Sequence, residues 1–166
     1  MDPRLQRLQS EIASAIAGLS AEQLSAHPEG KWCAAEVLEH LYLTYTGTTK
    51  GFSRVVEAEK PEVTAPTWRQ RGRRLVVLGL SYLPSGREAP QFTRPRGIPD
   101  VKVQAEIGLR IAEMDDMIAR CENKFGLTSK VLDHPILGPL TGAEWRKFHL
   151  VHGLHHVKQI RRLSAG

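Results

Sequence analysis

Apolar residues recur at three- and four-residue steps in four stretches of the chain, and each predicts an amphipathic helix. In the first, Leu5, Leu8, Ile12, Ile16 and Leu19 follow Asp2-Pro3, a capping side chain and then the residue favoured at the first helical position, and the helix ends near Gly18. The second runs from Cys33 to about Glu57, with Val37, Leu41, Thr44, Thr48, Phe52 and Val55 along one stripe and His40 beside it, facing the core or its edge. Cys33 and Glu36 hold the cap and N3 positions of a capping box, but a thiol is a poorer cap than Ser or Thr. Asp100 caps the third, which carries Val103, Ile107, Ile111, Met114, Ile118 and Cys121 as far as Gly126. The last opens on a Thr141/Glu144 capping box, with Trp145, Phe148, His152, His155/His156, Gln159 and Leu163 on and around its inner face.

The links between these stretches differ in kind. Ser20 and Gln23 are spaced as a capping box and predict one short extra turn before "HPEG" breaks the chain. Lys60 to Asp100 is rich in Pro and Gly: "TWRQRGRRLVVLGLSYL" can form a helix, and "PSGREAPQFTRPRGIPD" reads as a proline-punctuated loop of the long kind that usually serves function or subunit contact. "LTSKVLDHPILGPL" is a connector with two prolines and no convincing strand run. The fold expected is all-α: a four-helix bundle in one domain, residues 1–166, with a long, partly helical, Pro/Gly-rich connection between helices two and three.

Composition adds boundaries. Two cysteines are too few for a disulfide framework, "MDPRLQRLQS" has no apolar signal core, and the run "LVVLGL" is too short to span a bilayer, so no membrane role and a cytoplasmic location are expected. The net charge of +5 is concentrated between Lys60 and Ile98, where Lys60, Arg69, Arg71, Arg73, Arg74, Arg87, Arg94 and Arg96 face only Glu62 and Glu88. A patch in one segment, without stacking aromatics or a binding motif, argues for a solvated or interface face over a nucleic-acid footprint.

The chemistry concentrates in "FHLVHGLHHVKQIRRL", which holds four of the seven histidines. His152 and His156 are four residues apart and leave one helix face a turn from each other, a spacing at which two imidazoles can share a metal. Facing helices of a bundle project ligands inward, and His40 would complete a tri-histidine site with positions left open for water or substrate. The plainer readings are surface or core histidines. A shift of register would put His149 in place of one ligand, His155 supports the site or faces solvent, and His27 is a loop residue. Trp32, Trp145 and Phe148 read as core, and Gln159 as a hydrogen-bonding partner of the site or as nothing.

The combination of "KWCAAEVLEHL" with "HPILGPLTGAEWRKFHLVHGLHHVKQIRRL" resembles the DinB/YfiT-like superfamily, in particular a branch of uncharacterised proteins sharing the His-Pro, Gly-Pro-Leu-Thr, Glu-Trp and His-His-x-x-Gln elements. "LPSGREAP" in the middle is similar too. The resemblance implies a four-helix bundle, often dimeric, that binds one divalent metal through three histidines, which fall on His40, His152 and His156. The superfamily often has Ser or Thr where this chain has Cys33, which puts the helix cap in doubt but not the ligand position.

Through its thiol-dependent transferases and a mycothiol-dependent isomerase, the resemblance also implies a metal (zinc, nickel or iron) that activates a low-molecular-weight thiol for transfer to an electrophile. The basic link would attract an acidic thiol such as glutathione or bacillithiol. The alternatives are a metal-dependent hydrolase at the same site, for which no general base is evident, and a non-catalytic dimeric stress-related binding protein.

Overall fold

A computed structural model describes residues 1–84 and 88–164. Arg87 of the basic segment, and Ser85 and Gly86 of "LPSGREAP", lie outside the described residues. Among those described, the chain is mostly helical: α1 (Pro3–Ile16), α2 (Ala21–Ser25), α3 (Ala34–Glu57), α4 (Trp68–Arg74), α5 (Asp100–Phe125) and α6 (Gly142–Leu163), with two short strands, β1 (Leu132–His134) and β2 (Gly138–Leu140). None of the described helices is long and apolar enough to cross a membrane.

The helix starts follow the local chemistry. Asp2 accepts from the Arg4 N–H ahead of Pro3, and Ser20/Gln23 and Thr141/Glu144 form complete capping boxes. One start differs from expectation. Asp100 is the first helical residue of α5 and Pro99 occupies the cap, so the Asp100 carboxylate serves the helix dipole from within the first turn. At α3 Cys33 and Glu36 form the expected capping box, with the Glu36 carboxylate accepting from the Cys33 N–H at 2.9 Å and the thiol a weak acceptor on the other side.

The long helices α1, α3, α5 and α6 share one core. Leu5, Leu8 and Ile12 of α1 meet Leu38, Leu41, Tyr45 and Phe52 of α3 and Ile111, Met114 and Ile118 of α5, all essentially inaccessible. At about 1.5–3 kcal/mol for each large apolar side chain removed from water, this cluster supplies most of what opposes chain entropy. Helix α6 passes close to α1 at Gly153, where an added Cβ would overlap Leu8 Cδ1 and stand 3.0 Å from the Tyr45 hydroxyl.

The remaining contacts aim the link and the connector. The Glu39 carboxylate on α3 is buried and accepts from the backbone N–H groups of Arg96, Gly97 and Ile98 at 2.9, 3.2 and 3.1 Å, tying the end of the long link to the helix. Earlier in the link, a Thr67/Gln70 capping box starts α4, which runs into a π-helical stretch, Leu75–Gly79, that buries Val77 and Leu78. The connector before α6 is not an irregular loop: β1 and β2 pair antiparallel, with Leu132 opposite Leu140 and His134 opposite Gly138.

Candidate metal centre

His40 lies on the inner face of α3, and His152 and His156 are one turn apart on α6. The fold brings the three rings together: His40 Nε2 is 3.3 Å from His152 Nε2, and His152 Nε2 is 3.2 Å from His156 Nε2. The three ligand atoms lie within 4.8 Å of one another. A tetrahedral site with metal–nitrogen bonds of about 2.0–2.1 Å has edges of about 3.3–3.4 Å, so the two short separations already match such a site.

The far side of two rings fixes which nitrogen faces the centre. The His40 Nδ1–H donates to the Thr93 carbonyl at 2.9 Å, and the His156 Nδ1–H donates to the Gln159 amide oxygen at 3.0 Å. Both rings therefore turn a bare Nε2 lone pair inward, as metal-binding histidines do when their other nitrogen is held by a carbonyl. His152 Nδ1 is buried without a partner among the described residues. Its Nε2 can donate to only one of the two lone pairs facing it, so neutral imidazoles alone leave the centre frustrated and a cation relieves it.

Protonation does not relieve it. Burial pushes the His40 imidazole below its ordinary pKa despite the bond to Thr93. Burial, with His156 and His40 adding to it, puts His152 well below the usual range, and burial next to His40 takes His156 down to about 3. At neutral pH all three rings are neutral.

The cluster sits in the wall of an open cleft of about 1320 Å³. Trp32, expected in the core, lies half-buried on the cleft with its ring centroid 5.4 Å from that of His40. Phe148 stacks on His152 at 5.3 Å and 19°. The end of the long link and the π-helical stretch form other parts of the wall, through Phe92, Thr93, Val76 and Val77. Lys50, Arg54, Arg73 and Arg94 also line it, so part of the predicted basic segment faces the site.

The other histidines separate by role. His149 stands apart from the cluster, fully buried against Tyr45 and Trp145 with both nitrogens unpartnered among the described residues; burial, with His134 nearby, takes it to about 3. His155 is half-buried, edge-on to His156 at 5.3 Å, and His27 is an exposed loop residue. Gln159 has the orienting place that its spacing allowed. His27, Cys33 and Glu36 also bring potential ligand atoms within 4.8 Å of one another. There the carboxylate is occupied in capping α3, and burial raises the thiol pKa. Sequence reasoning missed Thr93 and His134, a cleft-lining histidine on β1 apart from those of α3 and α6; the His-Pro pair in the connector was the available signal for His134.

A family model described as a protein of unknown function (DUF1569) matches residues 4–163. No curated protein and no solved structure matches the chain.

Proposed function

We propose a divalent-metal-dependent enzyme for this chain, which belongs to the DUF1569 family of proteins of unknown function. Its reaction is the transfer of a low-molecular-weight thiol, or a related nucleophile, to an electrophile. Its architecture is the DinB/YfiT-like four-helix bundle, made of α1, α3, α5 and α6. The observation that carries this reading is the convergence of three neutral imidazoles on the wall of an open cleft, with His152 Nε2 at 3.3 Å from His40 Nε2 and 3.2 Å from His156 Nε2 and all three ligand atoms within 4.8 Å of one another.

His40, His152 and His156 would hold the metal. Imidazole ligands suit zinc, nickel and iron alike, so the donor set does not choose among them. When bound there, a divalent metal with an open position lowers the pKa of a thiol and raises its thiolate fraction at neutral pH. Thr93 and Gln159 orient two of the rings, and Trp32 and Phe148 narrow the access of water. Lys50 and Arg73 give the cleft the charge that attracts an acidic thiol.

The cleft carboxylates favour thiol transfer over hydrolysis by a general base. Glu36 accepts from the Cys33 N–H, Glu88 is paired with Arg94 at 2.7 Å, and Asp133 accepts from the Thr64 hydroxyl at 2.6 Å through Oδ2, its Oδ1 being buried away from solvent without a partner among the described residues. A homodimer is favoured by the side chains the link leaves in solvent: Trp68, Leu80 and Phe92 are 77%, 72% and 63% exposed. The test of function is a panel of low-molecular-weight thiols, titrated calorimetrically into metal-loaded protein and into the His152→Ala/His156→Ala variant. Binding of at least one thiol to the wild type alone supports the reading; equal binding to both, or to neither, refutes it.

A further inference from the structure

His134 ends β1 at the cleft, and its ring is locked from one side. Nδ1 accepts from the backbone N–H of Ile136 at 3.1 Å and of Leu137 at 3.2 Å, the service an Asn or Asp side chain performs in an Asx turn. A nitrogen that accepts two N–H groups carries no hydrogen of its own, so the neutral ring has its hydrogen on Nε2. The ring is wedged against Phe148, with centroids 4.2 Å apart, and Trp145, at 5.1 Å. His134 lines the cleft, and its Nε2 is neither hydrogen-bonded nor sealed away among the described residues.

The surroundings specify what such a donor meets. Lys50 and Arg73 line the same cleft and have no carboxylate partner among the described residues, whereas Glu36 and Glu88 are engaged, and Asp133 accepts from Thr64 through Oδ2 while its Oδ1 is buried away from the cleft solvent without a partner among the described residues. Positive charge in the same cleft as a fixed N–H donor is complementary to a carboxylate.

We propose that His134 is a substrate-binding residue whose fixed Nε2–H donates to a carboxylate oxygen of an anionic substrate seated over the three-histidine cluster. This rests on the thiol-transfer reading for the substrate's position, but the donor itself follows from the hairpin. A second proton would have to enter at Nδ1 against two backbone N–H groups, and burial already holds the ring's pKa at about 4. His134 is therefore a donor throughout the neutral range and not a proton shuttle.

The experiment uses the zinc-loaded full chain with ¹⁵N-labelled histidine and two probes, reduced glutathione and S-methylglutathione, which keeps the carboxylates but cannot form a thiolate. The inference expects the Nε2–H tautomer at His134 and a shift of that resonance with both probes. In His134→Asn the amide oxygen can still take the two backbone N–H groups, and the remaining amide N–H donors are set back from the position of the ring Nε2. Zinc content should hold while S-methylglutathione binds about tenfold more weakly. An Nδ1–H tautomer, no shift with either probe, or unchanged affinity in the variant overturns it. Should the variant melt early, the wild-type tautomer and shift decide. If thiol transfer is wrong and this is right, both probes bind alike and both depend on His134. If only this is wrong, reduced glutathione binds wild type and variant equally.

Discussion

His40 and His152 stand 112 residues apart in sequence, yet their Nε2 atoms face each other at 3.3 Å. Neither ring can retreat cheaply: His40 is held from behind by the Thr93 carbonyl, and His152 is stacked on Phe148. The cluster is thus preorganised, and metal binding should contribute to stability. A metal at one hundred times its dissociation constant adds about 2.7 kcal/mol. For a domain of this size that corresponds to a melting temperature higher by several degrees. Chelation should reverse the shift in a thermal melt, and a melt indifferent to chelator would contradict the site.

Arg146 on α6 is buried between carboxylates from α5. Its Nε donates to Asp115 at 2.6 Å and its Nη1 to both oxygens of Glu122 at 2.7 Å, while Asp115 also accepts from the Asp2 backbone N–H at 2.6 Å. Arg146→Ala leaves two carboxylates without their partner. The expected cost is about 3–5 kcal/mol, read by urea unfolding; a cost below about 1 kcal/mol, the scale of an exposed pair, would contradict that placement.

Gly153→Ala tests the α1–α6 contact. The added methyl meets Leu8, which can move, and the Tyr45 hydroxyl, which is fixed in the core. Overpacking of this kind costs about 1–3 kcal/mol. Because His152 precedes it, the variant should also bind metal more weakly, measurable by competition with a chromogenic chelator.

Stability of the metal-free protein should fall with acid. His134 and His149 are buried neutral, with pKa values of about 4 and about 3 against an ordinary 6.5. Below pH 6.5 the unfolded chain binds protons that the fold refuses, so the stabilisation present above 6.5 is lost as pH falls toward 4. Two such groups give a slope of roughly 3 kcal/mol per pH unit. Urea midpoints between pH 7 and 4.5 that do not move would show these rings to be protonated in the fold.

The helices were legible because their signals are local: Asp2-Pro3, Ser20/Gln23 and Thr141/Glu144 act within a turn. The His152/His156 pair was legible for the same reason, and His40 through its place beside an apolar stripe. The β-hairpin was not, because "LDH" and "GPL" are too short to show alternation and Pro139 argues against a strand. The π-helical stretch has no composition of its own. Thr93 was invisible because its backbone carbonyl does the work, and any residue has one. Trp32 packs against the core and lines the cleft as well, and the second role was not legible because size alone does not tell a core from a cleft wall.

The central claim is that His40, His152 and His156 hold one divalent metal ion. The direct measurement is elemental analysis of protein purified without a histidine tag, beside His152→Ala purified in the same way. The account predicts close to one equivalent of a divalent transition metal in the wild type and its loss in the variant. No enrichment over buffer in the wild type, or equal metal in both proteins, would contradict it.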